Sequence, residues 1–444
     1  MKKILSIIAL SCSLSASAQT YSLEQLKDSA LHNNIAMRTN RLELDAAKQQ
    51  RKEAFTKYFP TVNGTGFWFN ANKSMAKMDV NPSDYISPQL GASLAQMFPA
   101  EALAALGSPI SMSMLKNGTV AGVTAVQPVF AGGQIINGNK LAKVGEEVSR
   151  LQLQLSENVV EKQTEQYYWQ LVSLQQKMKT VEAVEALLKD IEKDVDVAVR
   201  AGVALRNDLL QVQLRQNDVE SQKVKLQNGI SIVRLLLAQY CGLNSETFTV
   251  NPPNNTIVAI PQQQDPTSSL SSLPEYQLLN KQVEGTKLQR KMEVGKNLPT
   301  VGIGAGYNYH NLLDNNRTFG MVFATVSVPI SDWWGGSHAI KRKKIQEQKA
   351  VAQLEDNSQL LKIRMQKAWN DVQESYQQLG IARRSIEQAE ENLRLNRNYY
   401  RAGTSKMSHL LEAQLLYQQS YDKHTDAYAD LQNKLLEYRQ ATGQ

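Results

Sequence analysis

The sequence carries one pattern twice. Arg200-Ala201-Gly202 followed by Leu209-Leu210 returns as Arg401-Ala402-Gly403 followed by Leu410-Leu411, offset by 201 residues at every matched position. Pro128 returns at the same offset as Pro329, within Gln127-Pro128-Val129-Phe130 and Val328-Pro329-Ile330, each trailed by a glycine pair, Gly132-Gly133 and Gly335-Gly336. Phe59-Pro60-Thr61-Val62 returns as Leu298-Pro299-Thr300-Val301. Landmarks repeated in one order mark an internal duplication. A chain of 444 residues is then two copies of a module, rather than the two or three unrelated domains that length alone suggests.

Each copy reads as a helix ending at a proline, two strands, a very long helix and a returning helix. The first copy, residues 19–243, places strands at about 61–70 and 119–127 and long helices at about 134–200 and 205–241. The second, residues 275–444, places strands at about 300–309 and 320–328 and long helices at about 337–401 and 405–441. All 13 prolines fall outside the four long segments, as helix interiors demand. At about 1.5 Å per residue the longer helices would each extend about 100 Å. Their apolar spacing is close to 3.5. Val144, Val148, Leu151 and Leu155 step by 4, 3, 4; Val181, Val184, Leu188, Ile191 and Val195 by 3, 4, 3, 4; Tyr428, Leu431, Leu435 and Tyr438 by 3, 4, 3. Such steps describe a coiled-coil seam. Residues 244–274, with five prolines and many polar residues, read as a linker.

The strands follow a different rule. Val301, Ile303, Ala305, Tyr307 and Tyr309 alternate with Thr300, Gly302, Gly304, Gly306 and Asn308, and Val322, Ala324, Val326 and Val328 share one face of the next strand. About 10 residues with one apolar face fit a strand between lipid and a wet lumen. An ordinary half-solvated sheet alternates in the same way. Trp68, Tyr307 and Tyr309 toward one end, with Trp333 and Trp334 at the other, are placed as two interfacial aromatic girdles. Phe67 and Phe69 are grouped here with Trp68. The run Lys341-Arg342-Lys343-Lys344 is readable either as a contact to lipid phosphates or as a solvated helix face. No run of 18 or more apolar residues occurs, so no ordinary membrane helix is present, which leaves a β-barrel as the route into a bilayer. Four strands cannot close a barrel, and open strand edges are not tolerated in lipid. The chain must therefore either share a barrel with other copies or not form a barrel at all.

The N-terminus is expected to be an export signal: Met1-Lys2-Lys3, an apolar run from Ile4 to Leu10, and Ala16-Ser17-Ala18 as the cleavage site, giving a leader of residues 1–18. Cys12, after Ala9-Leu10-Ser11, offers lipidation as the alternative. The formal charge is +7 and falls by two once Lys2 and Lys3 leave. That mild excess, with no basic tract interleaved with aromatics, gives no reason to expect nucleic acid as a partner. Cys241 then remains alone, without an internal disulfide framework. His32, His310, His338, His409 and His424 make no metal-ligand spacing, and no Walker or Gly-x-Ser-x-Gly motif appears. The reading is therefore not an enzyme, with no cofactor and no metal. The first hairpin is 38 residues longer than the second, an insertion of about 71–116 expected to form a long surface loop. Five of the 12 methionines lie in it (Met75, Met78, Met97, Met112, Met114). Loop packing accounts for them, and soft-metal capture is the sharper alternative.

Taken together, these features resemble the TolC-like outer membrane efflux protein family. The resemblance runs from Tyr21-Ser22-Leu23-Glu24-Gln25-Leu26 and Asn33-Asn34 through both proline-bounded hairpins and both Arg-Ala-Gly elements. It implies a mostly α fold with a small β-barrel contribution, in which long antiparallel coiled-coil helices form an α-barrel and four transmembrane strands per protomer join a trimeric 12-stranded barrel. It implies the exit duct of a tripartite efflux or type I secretion system in the outer membrane of a Gram-negative bacterium, extending into the periplasm. Its partners would be a homotrimer, a periplasmic adaptor, an inner-membrane pump and outer membrane lipid. The alternative is a soluble periplasmic coiled-coil adaptor or scaffold. By the resemblance, Gly202 and Gly403 mark helix-tip turns that dock the adaptor, and Asp208, Tyr400, His409 and Glu412 form a periplasmic gate. His409 departs from the acidic pattern, and Ser405 stands where the family uses an arginine. An ordinary polar helix surface is the competing reading of His409 and Glu412.

Overall fold

The computed structural model describes residues 19–443 apart from 107, 244–247, 252–258 and 313–314. The leader, its cleavage site and Cys12 lie outside the described residues, as does part of the linker. The chain forms two compact units. The helical unit takes Met1–Gln49, Val144–Gly285 and Gln348–Gln444, and the sheet unit takes Gln50–Lys143 and Thr286–Glu347.

In the helical unit, β1 (Gln19–Tyr21) leads into α1 (Leu23–Asn33) and α2 (Ile35–Thr56). Ser22 and Gln25 form a reciprocal capping box at the start of α1, satisfying amides that the first helical turn leaves unpaired. The sheet unit's β2 (Thr61–Asn70), β3 (Ala76–Val80), α3 (Pro88–Met97), α4 (Ala100–Leu106), β4 (Ile110–Met114) and β5 (Asn117–Ala131) follow. Then come α5 (Gln134–Arg200), α6 (Arg206–Cys241), β6 (Phe248–Val250), the single turn α7 (Pro266–Ser269) and α8 (Pro274–Lys296). The chain continues through β7 (Thr300–Leu312) and β8 (Asn315–Ser327) to α9 (Asp332–Arg401) and α10 (Met407–Thr442). Gly242 and Gly443 close α6 and α10 in the left-handed region, at φ 66° and 74°, the usual place for glycine past a helix end.

The coiled-coil seam read from spacing is the core of the helical unit. Val181, Val184, Leu188, Ile191 and Val195 are buried and pack with Val212, Val219, Met407 and Leu410. Leu431 and Tyr438 lie in a second cluster with Leu361, Met365 and Val372. A third joins Leu26, Ala30 and Met37 to Trp169, Leu171, Leu237 and Cys241. Burial pushes the Cys241 thiol up to about 12, which suits an inert apolar filler.

Residues 244–274 do more than connect. β6 pairs in parallel with β1, and Phe248 and Leu273 are buried. The Tyr438 hydroxyl accepts from Gln264 N at 2.8 Å and donates to Gln262 O at 3.2 Å, holding the segment against α10. The insertion is likewise not a plain loop. β3 and β4 form an antiparallel ribbon of their own, with α3 capped by Ser87 and started by Pro88.

The main sheet is antiparallel in the order β2-β5-β7-β8, so β2 and β8 are its edges. Its register places Val62, Ala125, Ala305 and Val322 in one row, and Gly64, Val123, Tyr307 and Gly320 in the next. Directly opposed residues share a face. That face is apolar and open: Val322 is 86% exposed, Val326 68% and Tyr307 63%. Arg317 is the one formally charged residue in the four strands. Among the described residues, Leu288 is the one buried apolar side chain of the sheet unit.

Candidate functional site

Two turns between long helices hold most of the expected functional residues. After α5, Gly202 adopts φ 75° and Val203 N donates to Ala198 O at 2.9 Å. After α9, Gly403 adopts φ 72° and Thr404 N donates to Tyr399 O at 2.9 Å. The repeated Arg-Ala-Gly is thus a repeated left-handed helix stop, in which the amide of the residue after the glycine satisfies the carbonyl five residues back. Space around both glycines is open.

The turns differ in surface chemistry. Val203, Leu205 and Leu214 are 80%, 70% and 65% exposed at the first. At the second, Met407 and Leu410 are buried and join the seam, while Thr404, Lys406 and His409 are exposed. His409 Nδ1 lies 3.4 Å from Ser405 Oγ, so the residue in the arginine's expected place holds the histidine. Glu412 is exposed on α10.

Asp208 lies within electrostatic reach of Tyr400. Burial, and secondly the Asp208 carboxylate, raise the Tyr400 phenol above its ordinary value. Among the described residues no direct hydrogen bond joins the pair. Nearby, Arg401 Nη2 donates to Asp194 Oδ2 at 2.8 Å, linking the end of α9 to α5. Sequence reasoning missed it: Asp194 has Leu395 at the matching place in the other copy, so the duplication gives no hint.

Just inside the turns lies a buried polar cluster. Arg215 Nε donates to Gln414 Oε1 and Arg215 Nη2 to Gln418 Oε1, each at 2.8 Å, and Gln418 Nε2 donates to Gln222 Oε1 at 2.7 Å. Gln414 is fully buried. Burial draws the Arg215 guanidinium down from its ordinary value, with Asp218 opposing. Gln414 and Gln418 are four residues apart behind Met407 and Leu410, so polar residues in seam positions were the signal available. Further along, Lys223 and Lys189 donate to Glu185 and hold its carboxyl down at about 2.

The aromatics of the sheet unit fall into two sets. Trp68, Tyr307 and Tyr309 share the open apolar face by register, and the Tyr309 hydroxyl donates to Asn316 Oδ1 at 3.0 Å. Phe67 and Phe69 point to the opposite face, since alternate residues of a strand must; they are not part of that girdle. Trp333 and Trp334 lie inside the first turn of α9, because the helix begins at Asp332 rather than about 337. Trp333 Nε1 donates to Asn297 O at 2.9 Å, and Trp334 is 81% exposed.

Paired long helices joined to a four-stranded antiparallel sheet are a fold that this chain shares with solved outer membrane channels. The chain superposes on the CusC channel with a TM-score of 0.79 at 14% identity, covering 97% of this chain and 95% of that one. The values for VceC from Vibrio cholerae are 0.76, 13%, 95% and 96%, and for the Campylobacter jejuni CmeC outer membrane channel 0.76, 13%, 95% and 85%. No curated protein sequence matches the chain. Residues 280–444 match the model of the outer membrane efflux protein family.

Proposed function

We propose that this chain is the outer-membrane exit duct of a tripartite efflux or type I secretion system, passing cargo from a periplasmic adaptor and inner-membrane pump to the exterior. One observation carries the reading: strands of 10 to 15 residues present an exposed apolar face without a formal charge, in a sheet with two unpaired edges among the described residues. In water such a face is an aggregation hazard, whereas in a bilayer it is the required surface. The edges need strand partners there, and three copies supply 12 strands. A soluble adaptor would leave the face uncovered.

Conduction needs a controlled entrance. The helical unit supplies it at the two turns, where Asp208, Tyr400, His409 and Glu412 form the gate. Three copies of Glu412 around an axis would concentrate negative charge and favour cations, and His409 adds an exposed polar group beside Ser405. The exposed Val203, Leu205 and Leu214 beside Gly202 give the adaptor an apolar docking strip, and the polar Gly403 turn flanks it.

The test is purified protein in mild detergent and in planar bilayers. A trimeric mass by multi-angle scattering, heat-modifiable gel migration and cation-selective conductance are expected. Tyr400→Phe combined with Asp208→Ala should raise the conductance. A monomeric mass without conductance overturns the duct, and unchanged conductance in the double variant overturns the gate.

A further inference from the structure

Within the helical unit, α5 and α10 touch at two levels and part between them. At one level Trp169 and Tyr428 meet edge to face at 5.6 Å, and Ser173 Oγ donates to Asp426 Oδ1 at 3.0 Å. At the other, Val181 and Val184 pack in one buried cluster with Met407 and Leu410. In the interval α5 presents Gln176, Thr180 and Ala183, and α10 presents Tyr417, Tyr421 and His424. Each triplet steps by four and then three residues, so each lies on one helix face. Thr180 and Ala183 are too short to fill the gap. A cavity of about 600 Å³ remains, with Ile386 of α9 also in its wall. That volume falls within the range of small-molecule sites.

The lining decides what fits. Trp169, Tyr417, Tyr421 and Tyr428 supply aromatic surface, with the Tyr417 and Tyr421 rings 4.8 Å apart and tilted at 50°. Walls of this kind favour a flat aromatic body. No carboxylate lines the cavity. Two acids near it are engaged elsewhere: Glu390 accepts from the Tyr421 hydroxyl, and Asp426 accepts from Ser173 and Lys177. Lys179 lines the exposed mouth and makes no ion pair among the described residues. His424 lines the cavity from α10. Burial, and secondly Arg383, draw its imidazole below the ordinary value, which leaves Lys179 as the one cation of the lining at neutral pH. Aromatic walls with a single ammonium group suit one ligand chemistry: fused rings bearing one acid group.

We propose that this cavity is a binding site for a two- or three-ring aromatic carboxylate, with the rings against Trp169, Tyr417 and Tyr428 and the acid group on Lys179. One chain builds the whole site, so it does not depend on the duct reading. An occupant would touch α5, α9 and α10 at once.

The experiment is calorimetric titration of the purified protein in mild detergent with naphthalene-2-acetate and with naphthalene-2-acetamide, its uncharged counterpart. Titration of detergent alone gives the micelle uptake to subtract. One saturable site per chain is expected for the acetate, with a Kd of about 1 mM or tighter, and weaker binding of the acetamide. Lys179→Gln should weaken the acetate about fivefold, the scale of one exposed ionic contact, and leave the acetamide unchanged. Ala183→Phe should abolish binding of both by filling the mouth. Lys193→Gln, on the same helix but outside the cavity, should change neither. Lys179, Ala183 and Lys193 are exposed, so the variants should fold, and unchanged helical circular dichroism confirms it. Absence of saturable acetate binding by the unaltered protein overturns the site, as does binding that survives Ala183→Phe. Equal affinity for the two probes, with no effect of Lys179→Gln, overturns the carboxylate. Conductance is measured separately, so the site can fail while the duct stands.

Discussion

Arg401 and Asp194, 207 residues apart in sequence, meet at 2.8 Å and tie the end of α9 to the last turns of α5. The two side chains are about half exposed, so the pair is a weak latch, worth less than about 1 kcal/mol and screened by salt. Arg401→Ala or Asp194→Ala should raise the open probability no more than about fivefold at low ionic strength. In 1 M KCl the variants and the parent should converge. A difference that persists at high salt would assign Arg401 a role other than this ion pair.

The Arg215 cluster is the stronger element. Gln414 is fully buried, so Arg215→Ala leaves amide oxygens without their donor, at a cost of about 2 kcal/mol. Replacing both sides at once, Arg215→Met with Gln414→Leu, should recover part of that loss, because apolar partners need no donor. Urea denaturation followed by helical circular dichroism compares the two.

Gly403 and Gly242 end helices with the same left-handed backbone but in different surroundings. Gly403 has open space around it, whereas a Cβ on Gly242 would meet Asn33 Cβ at 2.5 Å, where Asn33 Nδ2 holds Cys241 O at 3.3 Å. Gly403→Ala should cost about 1 kcal/mol through backbone strain alone. Gly242→Ala adds overpacking of about 1–3 kcal/mol. Thermal midpoints should rank parent, Gly403→Ala, Gly242→Ala, and equal midpoints for the two variants would remove the overpacking argument.

Glu185 gives a pH signature. Its carboxyl is held at about 2 in the folded chain, against an ordinary value of 4.5. A depressed carboxylate stabilises the fold fully above its ordinary value, and that stability drains away as pH falls from 4.5 toward about 2. The stability gap between parent and Glu185→Gln should therefore be full at pH 6 and shrink steadily below pH 4.5. A gap independent of pH would mean that Lys223 and Lys189 act on Glu185 only as packing.

The sequence was most readable where a single period governs many residues. The seam Val181–Val195 needs one helix face over four turns, and its five residues are all buried. The strand alternation of Val301–Tyr309 likewise needs one sheet face. Features set by pairing partners were hidden. Phe67 and Trp68 looked like one girdle until register sent them to opposite faces. The parallel contact of Gln19–Tyr21 with Phe248–Val250 is three residues long and spans 229 positions, so local pattern cannot announce it. Asp194 and Arg401 come from different copies of the repeat. The fold is written in periods, whereas the sites are written in registers.

The unpaired edges of β2 and β8 also constrain how the molecule is made. A lone sheet entering lipid would strip water from two rows of backbone groups that have nothing else to bond, at several kcal/mol each. No stable one-chain inserted state then exists to be filled by later partners. In the proposed trimeric duct, association and membrane entry are therefore coupled, so the yield of inserted protein should rise more steeply than linearly with the concentration of the chain.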